Sequence, residues 1–305
     1  MAFILEMLNL QIMLFILMAV GILVKKIGII SETNRKSFSD MLINVILPCN
    51  IVSSFMSGIE ISSDLLKNCV LAVVLSAVIQ IFVTYANKLI FKKVAKNRKS
   101  VMSYGMICSN SSFIGLPVAQ ELYGDMGVLF TSVFQIPIRF TMWTAGLSLF
   151  TDIDRKSAFK KLAKHPCIIA VFLGFLLMVL PVTLPSVVTS TINSISKCTT
   201  PLSMMVIGTI LADADIKTMF SKDVLYYSFW RLIGLPILIW VVLMPFHLDK
   251  LLVSICVIMS GMPAGSTTSI LADKYGGDSM FASQMTFVST LFSIVTIPIL
   301  GMILN

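Results

Sequence analysis

The sequence predicts an all-α polytopic membrane protein: ten transmembrane helices in two five-helix repeats, the second inverted relative to the first. Three observations lead there. Of the 305 residues 57% are hydrophobic and only 12% charged, with mean hydropathy +0.94; a soluble domain carries about 25% charged residues. Apolar runs of about twenty residues, the length a helix needs to cross a bilayer core, recur along the whole chain. The lysines and arginines gather in alternate loops.

Span one covers 8–24 and stops at Lys25 and Lys26. The N-terminus lacks the basic region and small-residue cleavage site of a signal peptide and is read as part of this span. Span two (37–57) carries Pro48, span three is 68–91, and span four (101–121) is interrupted near its middle. Span five (127–150) holds Arg139. Span six (166–181) opens at Pro166, which suits a first helical position, and runs into the turn "PVTLP". Span seven (187–211) holds Lys197 and Pro201, and span eight (224–245) holds Arg231. Span nine (250–272) is interrupted like span four, and span ten is 281–304. The repeats are expected at 1–150 and 166–305, joined by a cytoplasmic linker at 151–165.

Charge sets the orientation. Loops 25–36, 88–99, 155–164, 217–222 and 273–280 hold four, six, five, two and one Lys or Arg, which is 18 of the 23. All five lie on one side of a ten-span arrangement; the other side has Lys67 and Lys250. The positive-inside rule then puts both termini outside the cytoplasm of a cell-membrane protein. The net charge of +8 is thus topological, and nucleic acid is not an expected partner. The bilayer is.

An offset of about 153 residues relates the halves. Gly21 maps to Gly174, Pro48 to Pro201, and "LYGD" (122–125) to "KYGGD" (274–278). Five spans per half is odd, so the second half enters the membrane upside down, as in many secondary transporters. Span four breaks at "NSSFIGLP" (110–117) and span nine at "SGMPAGSTTS" (260–269). A proline removes an N–H donor and glycines loosen the backbone. Non-helical backbone at that depth survives only where protein buries it or a polar cavity solvates it. Paired breaks in corresponding spans point to a substrate site.

The stretches "NSSFIGLPVAQELYG" and "SGMPAGSTTSILADKYGGD" resemble the span-four and span-nine signatures of the auxin efflux carrier family, within the wider bile-acid, arsenite and riboflavin transporter-like superfamily. The resemblance runs over the whole chain. It implies broken helices four and nine that cross at the membrane centre beside a scaffold domain, and it implies small organic anions, such as mono- or dicarboxylates, as substrates. The chain lacks the long cytoplasmic loop of some plant members, and its Asn110-Ser-Ser departs from the Asn-x-Gly form often seen. Sodium- or proton-coupled anion symport is the alternative within carriers, and a channel or receptor the alternative outside them.

The candidate substrate residues are Asn110, Ser111, Ser112, Gly115 and Pro117 at the first break and Pro263, Ala264, Gly265, Ser266 and Thr267 at the second. Arg139 and Lys197 join them, about twelve and ten residues into their spans and so roughly 15 Å deep. A cation at that depth costs about 3 kcal/mol or more and faces a cavity or a partner. All fifteen acidic residues lie in loops or near span ends, Asp40 deepest, so an anionic substrate is the expected partner. Asn44, Asn50 and Gln135 are polar neighbours. Arg231, nearer the cytoplasmic end, is read as snorkelling or pairing with backbone carbonyls; the same reading is the alternative for Arg139 and Lys197. No catalytic constellation, metal site or cofactor is expected: the two histidines, His165 and His247, sit at span ends without an HExxH motif, and nothing accompanies a serine to activate it. The six cysteines are read as buried free thiols. A homodimer stays open, because lipid-facing and partner-facing surfaces have the same composition.

Overall fold

The computed structural model describes residues 2–56, 62–150, 163–180, 184–212, 219–265 and 267–304. Among these residues every regular element is helical, and the β-type pairing is one isolated bridge. The α-helices are α1 (Ala2–Lys26), α2 (Glu32–Met41), α3 (Leu47–Phe55), α4 (Ser63–Ile90), α5 (Lys96–Ile107), α6 (Leu116–Thr141) and α7 (Pro166–Val179). After them come α8 (Ser186–Ser196), α9 (Thr199–Ala212), α10 (Lys222–Phe229), α11 (Leu235–Leu243), α12 (Lys250–Ser260), α13 (Thr267–Lys274) and α14 (Ser279–Leu304). Among the described residues four helices are long and apolar enough to cross a membrane: Asn34–Phe55, Ser63–Ile90, Lys222–Phe246 and Ser279–Leu304. They fall on the expected spans two, three, eight and ten.

Wider π-helical turns join several of these helices, at Leu42–Ile46, Ser111–Gly115, Met142–Gly146 and Trp230–Gly234. Three of the four end two residues before a proline: Pro48, Pro117 and Pro236. Each proline lacks the N–H that would bond the carbonyl four residues back. The local widening of the helix lets the chain pass that gap without breaking.

The chain separates into two compact units, one of residues 1–67, 112–133 and 163–214, the other of 68–111, 134–162 and 215–305. In the first, α1 packs along α9 and α3 packs on α7 and α8. The α1–α9 contact is close because glycines face backbone: a Cβ built on Gly208 would lie 3.0 Å from Gly21 Cα, and one on Gly21 2.9 Å from Met205 Cα. Ser31 caps α2, its hydroxyl accepting from the Asn34 N–H at 3.2 Å. Pro166 stands at the first turn of α7, as its missing donor favours.

One boundary differs from expectation. Where one helix was expected over 187–211, the chain turns at Lys197 and Cys198 between α8 and α9. Pro201, three residues on, cannot donate to the Lys197 carbonyl, so the helix restarts instead. The break expected between spans four and five does appear: α6 is two helical pieces meeting at a kink at Gly124, whose φ 59° and ψ −149° are not helical. That left-handed φ is one glycine adopts at little cost.

In the second unit α14 packs on α10 and α13, and α11 on α12. The expected cytoplasmic ends are tied by Arg98, which donates to Asp223 at 2.8 Å, sits 3.6 Å from Asp278 and lies over the Phe281 ring. The Asp223 hydrogen bond also pushes the Arg98 pKa up. Along α4 the residues Val70, Val74, Val78, Ile81, Tyr85 and Leu89 are exposed on one helical stripe, while Ser76, Gln80 and Asn87 are buried. Ser76 donates to the Phe134 carbonyl at 2.6 Å and Asn87 to the Ser103 carbonyl at 3.0 Å. Polar groups inside and a greasy face outside suit a lipid solvent.

Candidate functional site

The two interruptions meet inside the second unit. Helix α5 ends at Ile107, and Cys108 leaves in an extended conformation, φ −106° and ψ 92°. Helix α12 ends at Ser260, and the chain stays non-helical until Thr267, Ser266 lying outside the described residues. The extended pieces pair antiparallel, Ser109 opposite Ala264. The Asn110 N–H donates to the Pro263 carbonyl at 2.8 Å, and the Gly265 N–H donates to the Cys108 carbonyl at 2.9 Å. Each break thereby satisfies backbone groups of the other, which apolar surroundings require. Glycine at 265 suits this close pairing, since a Cβ there would lie a tight 3.2 Å from the Cys108 oxygen and 3.4 Å from that of Ser109.

Side chains complete the crossing. The Ala264 N–H donates to Ser289 Oγ on α14 at 3.2 Å. Gln135 Nε2 donates to the Ser111 carbonyl at 3.1 Å, and Arg139 Nη2 donates to Gln135 Oε1 at 2.9 Å. One turn of α6 thus links the Arg139 charge to the first break through an amide. Arg231, in the π turn after α10, is 3% exposed; its Nε donates to the Met262 carbonyl at 2.6 Å and its Nη1 to the Met106 carbonyl at 2.8 Å.

Of the expected residues, Asn110, Ser111, Pro263, Ala264, Gly265, Gln135 and Arg139 therefore lie in one bonded arrangement. Thr267 opens α13 just beyond it. Ser112, Gly115 and Pro117 follow the first break and belong to the first unit, in the π turn and the first turn of α6. Asn44 and Lys197 are also in the first unit. Asn44 is exposed and donates to the Asp40 carbonyl at 2.7 Å, and Lys197 is exposed at the end of α8.

Two features take their specific form only in the structure. Arg231 is the first: of snorkelling and pairing with backbone carbonyls it does the second, donating to two of them. Which two was not legible, because they belong to other helices that stop in apolar surroundings. The second is a polar ladder in the first unit, where Asn50 Nδ2 donates to Ser196 Oγ at 3.0 Å and Ser53 Oγ to Asn193 Oδ1 at 2.8 Å. The i and i+3 positions of α3 face those of α8, a pairing the spacing allowed but could not select.

Long apolar helices, an outward greasy face and a core of paired helix breaks define an α-helical membrane protein. The chain belongs to the auxin efflux carrier family: the family profile described as membrane transport protein matches residues 7–160 and again 153–301. An uncharacterized transporter of Methanocaldococcus jannaschii is 26% identical over 302 residues, covering 95% of this chain and 96% of that protein. An uncharacterized transporter of Methanothermobacter thermautotrophicus is 23% identical over 296 residues, 95% of each chain. The uncharacterized transporter YfdV of Escherichia coli K12 is 25% identical over 197 residues, 61% of this chain and 62% of its own.

Proposed function

We propose that this membrane transport protein is a carrier of small organic anions, carboxylates in the first place, working by alternating access around the crossed breaks. The observation that carries the reading is the crossover itself. Backbone N–H groups at the start of α13 and of the π turn after Asn110 offer donors and a positive helix end without a mobile charge. Arg139, tied through Gln135 to the Ser111 carbonyl, adds a cation within reach of the same break. In this reading the guanidinium grips a carboxylate with two parallel N–H donors, for which arginine is better shaped than lysine. Lys197 contributes as a point charge, and Asn44 and the Ser112–Pro117 segment line the path.

The reading includes ten spans, five in 1–150 and five inverted in 166–305, with 151–165 as cytoplasmic linker and both termini outside the cytoplasm of a cell-membrane protein. Inverted halves supply two equivalent packings, hence the two access states. The test is counterflow in proteoliposomes against a panel of mono- and dicarboxylates. Saturable exchange of at least one is expected. Flux that does not saturate points to a channel, and no exchange with any anion refutes the substrate class.

A further inference from the structure

Arg231 is a full cation buried among apolar helices, and its hydrogen-bond partners among the described residues are two main-chain carbonyls. Both belong to stopped helices: Met106 to the last turn of α5, and Met262 to the chain leaving α12 two residues past its end. A helix C-terminus carries roughly half a negative charge, so the two ends together present about one unit. One guanidinium neutralises both. The residue type matters, because the rigid fork bridges two carbonyls where an ammonium is a compact point charge. Its placement also has a local cause: the π turn at Trp230–Gly234, widened ahead of Pro236, carries Arg231 at its second position.

Converging carbonyl oxygens at two helix C-termini are also what a hard cation such as sodium would bind. We propose that Arg231 is the resident counter-ion of the crossover. Its guanidinium holds the place a transported metal cation would take between the two carbonyl ends, so that the core is complete without a bound cation. A variant that empties this place acquires a cation site. The inference rests on the carrier reading for its meaning, but its test does not depend on which anion moves.

The experiment measures thermal unfolding of the purified full-length protein at constant ionic strength. The natural protein should melt at the same temperature in choline, sodium and potassium salts. Arg231→Ala, which leaves both carbonyl ends bare and opens a guanidinium-sized space, should melt lower and be raised by millimolar guanidinium but not by choline. At ten times the dissociation constant the rise should be about 3–6 °C. Arg231→Met, which fills the space without charge, should not respond. Should the alanine variant fail to survive extraction, Arg231→Lys against Arg231→Met decides: the lysine variant, of similar length and still charged, must melt higher. Sodium stabilising the natural protein over choline overturns the proposal. So does a folded alanine variant indifferent to guanidinium, or lysine and methionine variants of equal stability. These are stability readouts, so their failure with anion exchange intact condemns this inference alone. Their success with no anion exchanged condemns the substrate reading alone.

Discussion

Replacing Gly208 by valine tests whether the α1–α9 contact is as close as the backbone places it. A Cβ at 208 would lie 2.9 Å from the Met18 carbonyl carbon and 3.0 Å from Gly21 Cα, with the Met18 oxygen nearer still; ordinary contact starts at 3.4 Å. The obstacle is backbone, which cannot rotate aside, so the two helices must part by roughly half an ångström or more. A gap of about 0.5–1 Å forfeits a quarter to a half of each dispersion contact along the seam. Forced insertion into a packed interface costs about 1–3 kcal/mol, and valine, with two methyls beyond its Cβ, belongs at the upper end. At about 2–4 °C per kcal/mol the melting temperature should fall by roughly 4–12 °C. Gly28→Ala is the control. Gly28 has φ 83° and nothing within 4 Å, so only backbone strain acts there, costing about 1–2 kcal/mol. The assay is thermal unfolding of detergent-solubilised protein, with membrane insertion checked separately. A Gly208→Val variant as stable as the natural protein, or less perturbed than Gly28→Ala, would refute the packing argument.

Three further outcomes are expected. Reporters active only in the cytoplasm should stay silent at either terminus, whereas a strong signal from one end contradicts the ten-span topology. Arg139→Gln and Lys197→Gln should each lower transport of the best substrate with insertion unchanged, and Arg139→Lys should raise its KM; unaltered transport in both glutamine variants removes these residues from the anion path. Gln135→Leu leaves the Ser111 carbonyl and the Arg139 Nη2 without their amide partner, a loss of about 1–3 kcal/mol each where the group stays dry. It should therefore lower both melting temperature and transport, while Gln135→Glu, which keeps the acceptor for Arg139, should preserve more of each.

Much of this was legible in the sequence because apolar surroundings make every polar or proline residue conspicuous. The breaks at 109–117 and 260–269, Arg139 and Gln135 stand out against their spans, and the structure links residues of all of them. Pairing was not legible: that Ser109 lies opposite Ala264 follows from backbone bonds between segments about 150 residues apart, which no local pattern encodes. Pro201 was visible, yet a proline three residues into a new helix reads the same as one kinking a continuous span. For Arg231 the chain alone showed a cation that pairs with backbone carbonyls, but not which ones. Its role depends on where two other helices stop. The turn at Gly124 was legible, because the string between spans four and five reads as a connection and the backbone leaves helical geometry there.

Coupling is where the account commits itself most. In the sequence all fifteen acids and both histidines fall in loops or near span ends, so the proposed carrier is expected to have no carboxylate or imidazole carrying a proton through its core. With Arg231 standing in for a coupling cation, an organic anion should move electrogenically and unaccompanied. A potential of 100 mV supplies about 2.3 kcal/mol per charge, a roughly fifty-fold gradient of a monoanion. The measurement is efflux from proteoliposomes at clamped potential, with and without a pH gradient, and with sodium replaced by a large organic cation. Flux that follows voltage and ignores both ion gradients is predicted; flux that ignores voltage and tracks the proton or sodium gradient would contradict the account and establish symport.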